Sequence, residues 1–419
     1  MNTQLLSKDI LSKIINENVP FSLALKQSFK HHQVSKEEKS IVSAIVGCAL
    51  RHYLVLERII EDHYPEIESE PLFALLVAIS NILFIKRIDQ EESVNFAQSF
   101  LKEEDQKFND FISSYLEDKK LVPENIEVGS FEFLSYRYNT PLSIIKMWNK
   151  QYGPISTNKA LKANSKPGPV VVRINHNLIN DDDFFNAYPD FERGDISGVA
   201  IYNGKEKIKN LPLYQNKQVE ILSVAYKAMI DESDLDLLRG LAIYAEYPND
   251  LLVELTSRYQ NLNNVDYVAG TYSAYINAKN AINKNSIKGI NVYEASASSI
   301  LTCISKPVHT FIVLPDNSHF NLLQMLPDYF LRFDIEKLDS LIANQINSLK
   351  EASEQVEDGG YLLYLVDTLS KKESTNVINE FLKIKPEFIL VREKQYFPFK
   401  KYGGSYFFAV LKKENKNND

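Results

Sequence analysis

Apolar residues recur at helical spacing from Leu5 to about Lys120, whereas beyond Glu220 short apolar runs alternate with longer helical patterns. This change of period constrains the fold more than any other feature. In the first part, Ile41, Val42, Ile45, Val46, Ala49 and Leu50 share one helix face. Ser35 with Glu38 three residues on is a capping-box signature that sets the start of that helix. A bundle of at least five helices before Val122 is predicted. In the last part, Leu241–Ala245, Val265–Ala269, Phe311–Leu314, Tyr361–Val366 and Tyr406–Leu411 read as strands, with a helix over Thr375–Leu382 between the last two. Strand and helix in turn imply a parallel sheet covered on both faces. Between these parts, a helix over Pro141–Tyr152 is followed by Pro167-Gly168-Pro169 and the β-branched strand Val170–Ile174.

A chain of 419 residues exceeds one ordinary core. We expect a multidomain protein: an all-α bundle over residues 1–121, a small α+β linker domain over 130–220, a Rossmann-like α/β domain over 221–412 and a disordered Lys/Asn-rich tail over 413–419. The first boundary falls in the polar stretch Leu121–Gly129, which carries Pro123. A formal net charge of −8 excludes a globally basic surface, so any nucleic-acid contact must be a local patch. The two cysteines, Cys48 and Cys303, lie far apart and form neither a disulfide framework nor a metal knuckle. A reducing, cytoplasmic setting follows, and a monomer is expected. Met1–Ser12 lacks the apolar core of a signal peptide. The most apolar run, Pro71–Ile85, spans about 15 residues, short of the roughly 20 that cross a bilayer, and reads as a buried core helix. No metal site is expected, because His31-His32 have no ligand spacing to acids or cysteines.

Three stretches carry a family resemblance. Pro71–Lys102 (PLFALLVAISNILFIKRIDQEESVNFAQSFLK), followed by Phe108–Leu116, sets an apolar helix, a short break, then a helix ahead of a final one. Leu134–Gly153 (LSYRYNTPLSIIKMWNKQYG) leads to Ala160–Asn175 (ALKANSKPGPVVVRIN). Asp334–Leu349 (DIEKLDSLIANQINSL), Gly359–Tyr364 (GGYLLY) and Gly404–Lys412 (GSYFFAVLK) close the chain. In order and spacing these resemble the RsmB or Sun-type bacterial RNA (cytosine-5) methyltransferases. The first is similar to their NusB-like domain. The second resembles their S-x-R-Y-S-x-P-x-W-L-V-x-x-W and L-x-A-N-N-x-x-P-P-x-x-x-R-V-N stretches. The third resembles D-I-x-x-L-x-x-L-Q-x-x-I-L, G-G-x-L-V-Y and D-G-F-F-x-A-x-L-x-K. The resemblance spans nearly the whole chain and implies a NusB-like bundle, a linker domain and a Rossmann-like methyltransferase domain.

The family's chemistry is missing from the places where it should stand. An S-adenosylmethionine enzyme of this fold uses a glycine-rich turn after its first strand and an acid after its second. The family's D-L-C-A-A-P-G-G-K-T falls on Ile243–Leu252 (IYAEYPNDLL), keeping Pro248 while Asn249 and Asp250 replace two glycines. The ribose-binding acid falls near Gly270 and the next acid near Ser296, leaving Glu246, Asp250 and Asp266 as alternative carboxylates. Carbon 5 of cytosine becomes nucleophilic only after a thiolate adds at carbon 6, which requires a cysteine. The family's T-C-S falls on Val366-Asp367-Thr368 and its D-A-P-C-S on Leu314–Ser318, so Asp367 and Asn317 stand where sulfur should be. A carboxylate is a hard, weak nucleophile for conjugate addition, and an amide is unreactive. Cys303, about one strand upstream of Asn317, is the only nearby thiol, and free cysteines are most often inert core residues. No cofactor is expected, or S-adenosylmethionine if the domain is active.

A pseudoenzyme could still bind RNA. Arg137, Tyr138, Lys146, Trp148 and Lys150 combine cations with aromatic faces, the alternative being that the aromatics are core and the charges a solvated face. Arg173 and Asn175 match the family's R-V-N, where the resemblance implies RNA contact. Arg392 and Lys394 open a basic, aromatic cluster reaching Tyr402, read as a loop before the last strand, and Lys205, Lys207 and Lys209 alternate along an expected strand. Three readings stay open: an inactive homologue binding RNA, ribosomal RNA above all; an active S-adenosylmethionine-dependent enzyme whose acceptor needs no thiolate; and a protein- and RNA-binding module in the NusB-like bundle.

Overall fold

The computed structural model describes residues 2–85, 88–101, 108–110, 112–113, 122, 125–259 and 262–415. It divides into two compact units, Met1–Pro167 with Leu322–Asp334, and Gly168–Asn321 with Ile335–Asp419.

The first unit is helical. Helices run over Thr3–Ile15, Phe21–His31, Lys36–Arg51, Tyr53–His63, Ser69–Ser80 and Gln90–Gln98. Ser35 and Glu38 form the expected capping box, each side chain satisfying the other's backbone N–H. Ser69–Ser80 is buried from Phe73 to its end and continues as a π-helical turn over Asn81–Ile85, so the most apolar run is a core helix. Among the described residues no single helix is long and apolar enough to cross a membrane. Residues 121, 123 and 124 of the stretch Leu121–Gly129 that would separate the expected first and second domains, and part of Phe108–Leu116, lie outside the described residues.

Helices Phe131–Tyr138 and Leu142–Asn164 belong to this unit. Asn139 ends the first in the left-handed conformation (φ 49°). Its Oδ1 accepts from the Leu54 N–H at 2.9 Å and its Nδ2 donates to the Leu50 carbonyl at 2.8 Å. The second helix breaks at Gly153 (φ 75°, ψ 169°), just before Pro154, which has no N–H to continue the ladder. The expected helix over Pro141–Tyr152 therefore stops as read, and a second run follows to Asn164. Leu322–Asp334 completes the unit through Asp328, which is fully buried and accepts from the Phe21 N–H (2.9 Å) and Arg332 Nε (3.0 Å).

The second unit holds two sheets. A four-stranded antiparallel sheet is ordered β2-β3-β1-β4, from Val170–Ile174 (β1), Phe191–Arg193 (β2), Val199–Tyr202 (β3) and Val219–Glu220 (β4). Val199 packs with Val224, Leu241 and Ile243 in the core of the larger sheet, so the small sheet belongs with it. By compactness the segment 130–220 is thus divided, the helices Phe131–Tyr138 and Leu142–Asn164 joining the bundle, and the strands with the short helices Asp181–Ala187 and Pro212–Gln215 joining the α/β part. The larger sheet comprises Leu241–Ala245 (β5), Val265–Ala269 (β6), Ile290–Glu294 (β7), Val308–Leu314 (β8), Val356–Val366 (β9), Phe388–Tyr396 (β10) and Tyr406–Lys413 (β11). Its order is β10-β11-β9-β8-β5-β6-β7, with β5 to β9 paired in parallel and β11 antiparallel to both its neighbours. This is a Rossmann-like sheet with one reversed strand.

Three expectations need correcting. The cluster from Arg392 is not a loop: Arg392, Lys394 and Tyr396 lie on β10, an edge strand whose charges hide its period from a sequence reading. Lys205, Lys207 and Lys209 lie beyond β3, in the segment that leads into and through the 3-10 helix Ile208–Asn210, where the Tyr202 side chain covers Gly204 and leaves no room for a Cβ. Lys413, expected in the tail, completes β11, while residues 416–419 lie outside the described residues.

Candidate functional site

In an open parallel sheet, ligands meet the loops at the carboxyl ends of the strands. Here those loops follow Ala245, Ala269, Glu294, Leu314 and Val366. Glu246, the first residue after β5, accepts from the Tyr244 hydroxyl at 2.8 Å and from the Asp316 N–H at 2.6 Å. A Cβ at Gly270 would lie 2.7 Å from both Glu246 Cγ and the Tyr244 hydroxyl oxygen. Side-chain space after β6 is therefore already filled by this pair, and Gly270 must remain glycine for them to sit there. A carboxylate does stand beside Gly270, that of Glu246, with both of its oxygens engaged within the protein.

Asn249 fixes the loop after β5. Its Nδ2 donates to the Tyr247 carbonyl (2.9 Å) and the Tyr267 hydroxyl (2.8 Å), and its Oδ1 accepts from the Leu251 N–H (3.1 Å). A buried amide with these bonds occupies the place where a glycine would let a cofactor approach the backbone. Asp250 is half-buried, its carboxyl raised by desolvation and lowered by Lys284, and Pro248 is exposed. These residues do not fit S-adenosylmethionine as the glycine-rich turn and ribose acid would hold it.

Asp367, at the end of β9, is 6% exposed and accepts from the Tyr247 hydroxyl at 3.3 Å through Oδ2, while its buried Oδ1 accepts no hydrogen bond among the described residues. Burial raises its carboxyl above the ordinary range, opposed by the charge of His319 and the Tyr247 hydroxyl. Asn317, also buried, donates from Nδ2 to the Pro315 carbonyl (3.2 Å) and accepts from the His319 N–H (2.9 Å). Asp367 and Asn317 thus both engage the loops around them. His319 adopts the left-handed conformation (φ 52°), pairs with Asp316 Oδ1 (Nε2 at 3.1 Å) and stacks edge-on with Tyr247 at 4.7 Å. Beneath them, Ser318, Thr368 and Glu373 form a buried chain, with Ser318 Oγ 2.7 Å from Thr368 Oγ1 and Thr368 donating to Glu373 Oε2 at 2.8 Å. Sequence reading missed Tyr247 and Glu373 because Tyr247 bonds to Asp367, 120 residues on, and Glu373 accepts from the Ser318 N–H at 2.7 Å, 55 residues back.

Neither thiol compensates. Cys303 ends the short helix Ile300–Cys303 and, partly buried, packs against the core of the α/β unit. Cys48 lies in the helical unit, where burial pushes its thiol up to about 12, leaving it protonated at neutral pH.

Asp367 gives a stability prediction. Because its carboxyl is raised on folding, the stability it contributes is full below the unfolded pKa of about 3.9 and is lost as pH rises through the folded value. Asp367→Asn keeps an acceptor for Tyr247 and removes the buried charge. It is expected to stabilise the protein by about 1 kcal/mol at pH 7, a gain that shrinks as pH falls towards 4. Thermal melts of both proteins at several pH values check this.

Of the residues read as RNA-facing, Arg137, Lys146 and Lys150 are exposed on two consecutive helices, and the Arg137 guanidinium lies 5.7 Å from the Phe133 ring centre and 5.6 Å from that of Tyr138. Trp148 is fully buried and offers no stacking face. Tyr138 is half-buried beside Arg51 and Asn139. Arg173 is buried against Glu220 and Glu254, and Asn175 holds its own turn, donating to the Lys217 carbonyl and accepting from the Asn177 N–H. Arg392 and Lys394 both pair with Glu232, which ties β10 to the helix Val224–Ser233. The structure does not bring these groups together into one patch.

No family model matches the sequence, and no curated protein matches it. Solved structures do. PH0851 superimposes with a TM-score of 0.75 at 17% identity, covering 99% of each chain. NSun6 from Pyrococcus horikoshii, solved with SFG, gives 0.55 at 10% identity over 65% of this chain and 98% of that one. A methyltransferase homologue protein from Pyrococcus horikoshii gives 0.57 at 13% identity over 68% of this chain and all of that one. At such identities the likeness is one of fold. The chain therefore shares the fold of PH0851 over 99% of its length, and that of NSun6 and the methyltransferase homologue over about two thirds.

Proposed function

We propose that this protein is a non-catalytic homologue of the RNA cytosine-5 methyltransferases that acts by binding RNA, with ribosomal RNA as the first target to test. One observation carries the reading: the two positions where the family's cysteines would stand are held by Asp367 and Asn317, both buried and both bonded into the cleft. The packing of Asn249 and of Glu246 against Gly270 supports it, because the cofactor turn is filled from within. The exposed cations of Arg137, Lys146 and Lys150 support retention of RNA contact.

Titration of the intact protein with S-adenosylmethionine or S-adenosylhomocysteine is expected to give no saturable heat well above micromolar concentration. Incubation with tritiated S-adenosylmethionine and ribosomal RNA is expected to leave cytosine unlabelled. Labelling at carbon 5 would overturn the reading. Cofactor binding with label on another atom would favour an enzyme whose acceptor needs no thiolate.

A further inference from the structure

The two edges of the seven-stranded sheet differ in chemistry. β10 closes one edge and carries Arg392, Glu393 and Lys394, charges that deter pairing with another strand. β7 closes the other edge with no proline, no bulge and a single charge, Glu294 at its end. None of its residues is buried, and among the described residues only β6 pairs with it. The Val265 N–H donates to the Gly289 carbonyl (2.9 Å) and the Ala295 N–H to the Ala269 carbonyl (3.0 Å). Odd-numbered positions therefore bond inward to β6, which leaves the N–H and carbonyl groups of Ile290, Val292 and Glu294 pointing out of the sheet.

The side chains along this edge complement their own reverse order. Ile290 and Val292 are half-buried at the rim of the core that also holds Ala274 and Ala278 of the helix Tyr272–Asn285. Glu294 is exposed at one end of the strand, and Lys288 is exposed at the other, just ahead of the left-handed Gly289 (φ 74°). When two antiparallel strands are related by a twofold axis normal to the sheet, each side chain stays on its own face. Opposed residue numbers must then sum to an even value. An axis through Asn291 sets Ile290 of each copy opposite Val292 of the other and brings the Lys288 end of each strand to the Glu294 end of the other. Apolar groups meet apolar groups and opposite charges meet, both of which favour cross-strand pairing. Moving the axis to Val292 opposes Ile290 to Glu294, and moving it to Ile290 opposes Lys288 to Val292, so the complementarity selects one register. In that register Ile290 and Val292 exchange their outward N–H and carbonyl groups as a hydrogen-bonded pair.

We propose that β7 is a self-association edge, at which a second copy of this chain pairs antiparallel about Asn291 and continues the sheet through both molecules, in place of the monomer expected from the sequence. The proposal is independent of the RNA-binding reading. Pairing of two strands of this length falls short of the ~1,200 Å² of stable interfaces, which makes the dimer a weak one.

Sedimentation velocity of the intact protein between about 1 and 200 µM tests this, with a reversible monomer to dimer transition expected within that range. Lys288→Glu and Glu294→Lys each turn two attractive pairs into two repulsive ones, and each is expected to weaken the dimer about tenfold with the melting temperature retained, both positions being exposed. An equimolar mixture of the two variants restores opposite charges at both pairs and is expected to recover the wild-type affinity as a heterodimer. At the axis, Asn291 bonds inward, so its two copies form a non-hydrogen-bonded pair with Cα atoms ~4.5 Å apart, a spacing that a disulfide accepts. Asn291→Cys is therefore expected to crosslink two copies on mild oxidation, with the wild-type chain as the control for Cys48 and Cys303. A monomer at every concentration, a dimer indifferent to both charge variants, a mixture no tighter than its components, or no crosslink at position 291 would each overturn the proposal.

Discussion

Replacing Arg137, Lys146 and Lys150 together by glutamate is expected to weaken RNA binding on the order of a hundredfold and to reduce the slope of log affinity against log salt by about 2. Each single-strand phosphate contact contributes ~0.7 to that slope through counterion release, so three contacts account for it. All three side chains are exposed on the helices Phe131–Tyr138 and Leu142–Asn164. Their replacement should shift folding stability by no more than about 0.5 kcal/mol. Filter binding at several salt concentrations, beside a denaturant melt, separates the two effects. An unchanged slope would place the RNA surface elsewhere on the protein.

The largest loss of stability is expected from Asp328→Ala, at about 3 kcal/mol. Asp328 is fully buried and accepts from the backbone N–H of Phe21, the first residue of the helix Phe21–His31, and from Arg332 Nε. That helix follows Pro20, which offers no side-chain cap, so Asp328 supplies the cap from 307 residues away along the chain. Loss of a cap costs ~0.5–2 kcal/mol, and removing one partner of a buried ion pair adds to this. Arg332 is partly exposed, which keeps the second contribution below its fully buried value. Asp328→Asn retains an acceptor and is expected to lose about half as much. A single urea melt followed by helical circular dichroism measures both.

The sequence determined the order of the parts and most of the elements. Ser35 and Glu38 cap the helix they were read to cap, and β1, β5, β6, β8, β9 and β11 lie where β-branched and apolar runs placed them. These are local signals, carried by period and capping chemistry. β10 escaped because Arg392, Glu393 and Lys394 protect an edge, and the charges that do so break the alternation by which a strand is read. That Asp367 and Asn317 fall where the resemblance would place thiols was read from the residues alone.

Only the tertiary structure decided what those residues do instead. That Glu246 fills the space beside Gly270, that Asn249 bonds to Tyr267, and that Tyr247 reaches Asp367 all depend on parallel strands bringing distant loops to one edge. Arg173 was read as an RNA contact from its motif, and its burial against Glu220 and Glu254 followed from β1 pairing with β4 and packing beside Leu251–Arg258. Sequence fixes which groups are present, because composition and spacing are local. Which of them remain free to meet a ligand depends on desolvation and hydrogen-bond partners, and those are set by residues far apart in the chain.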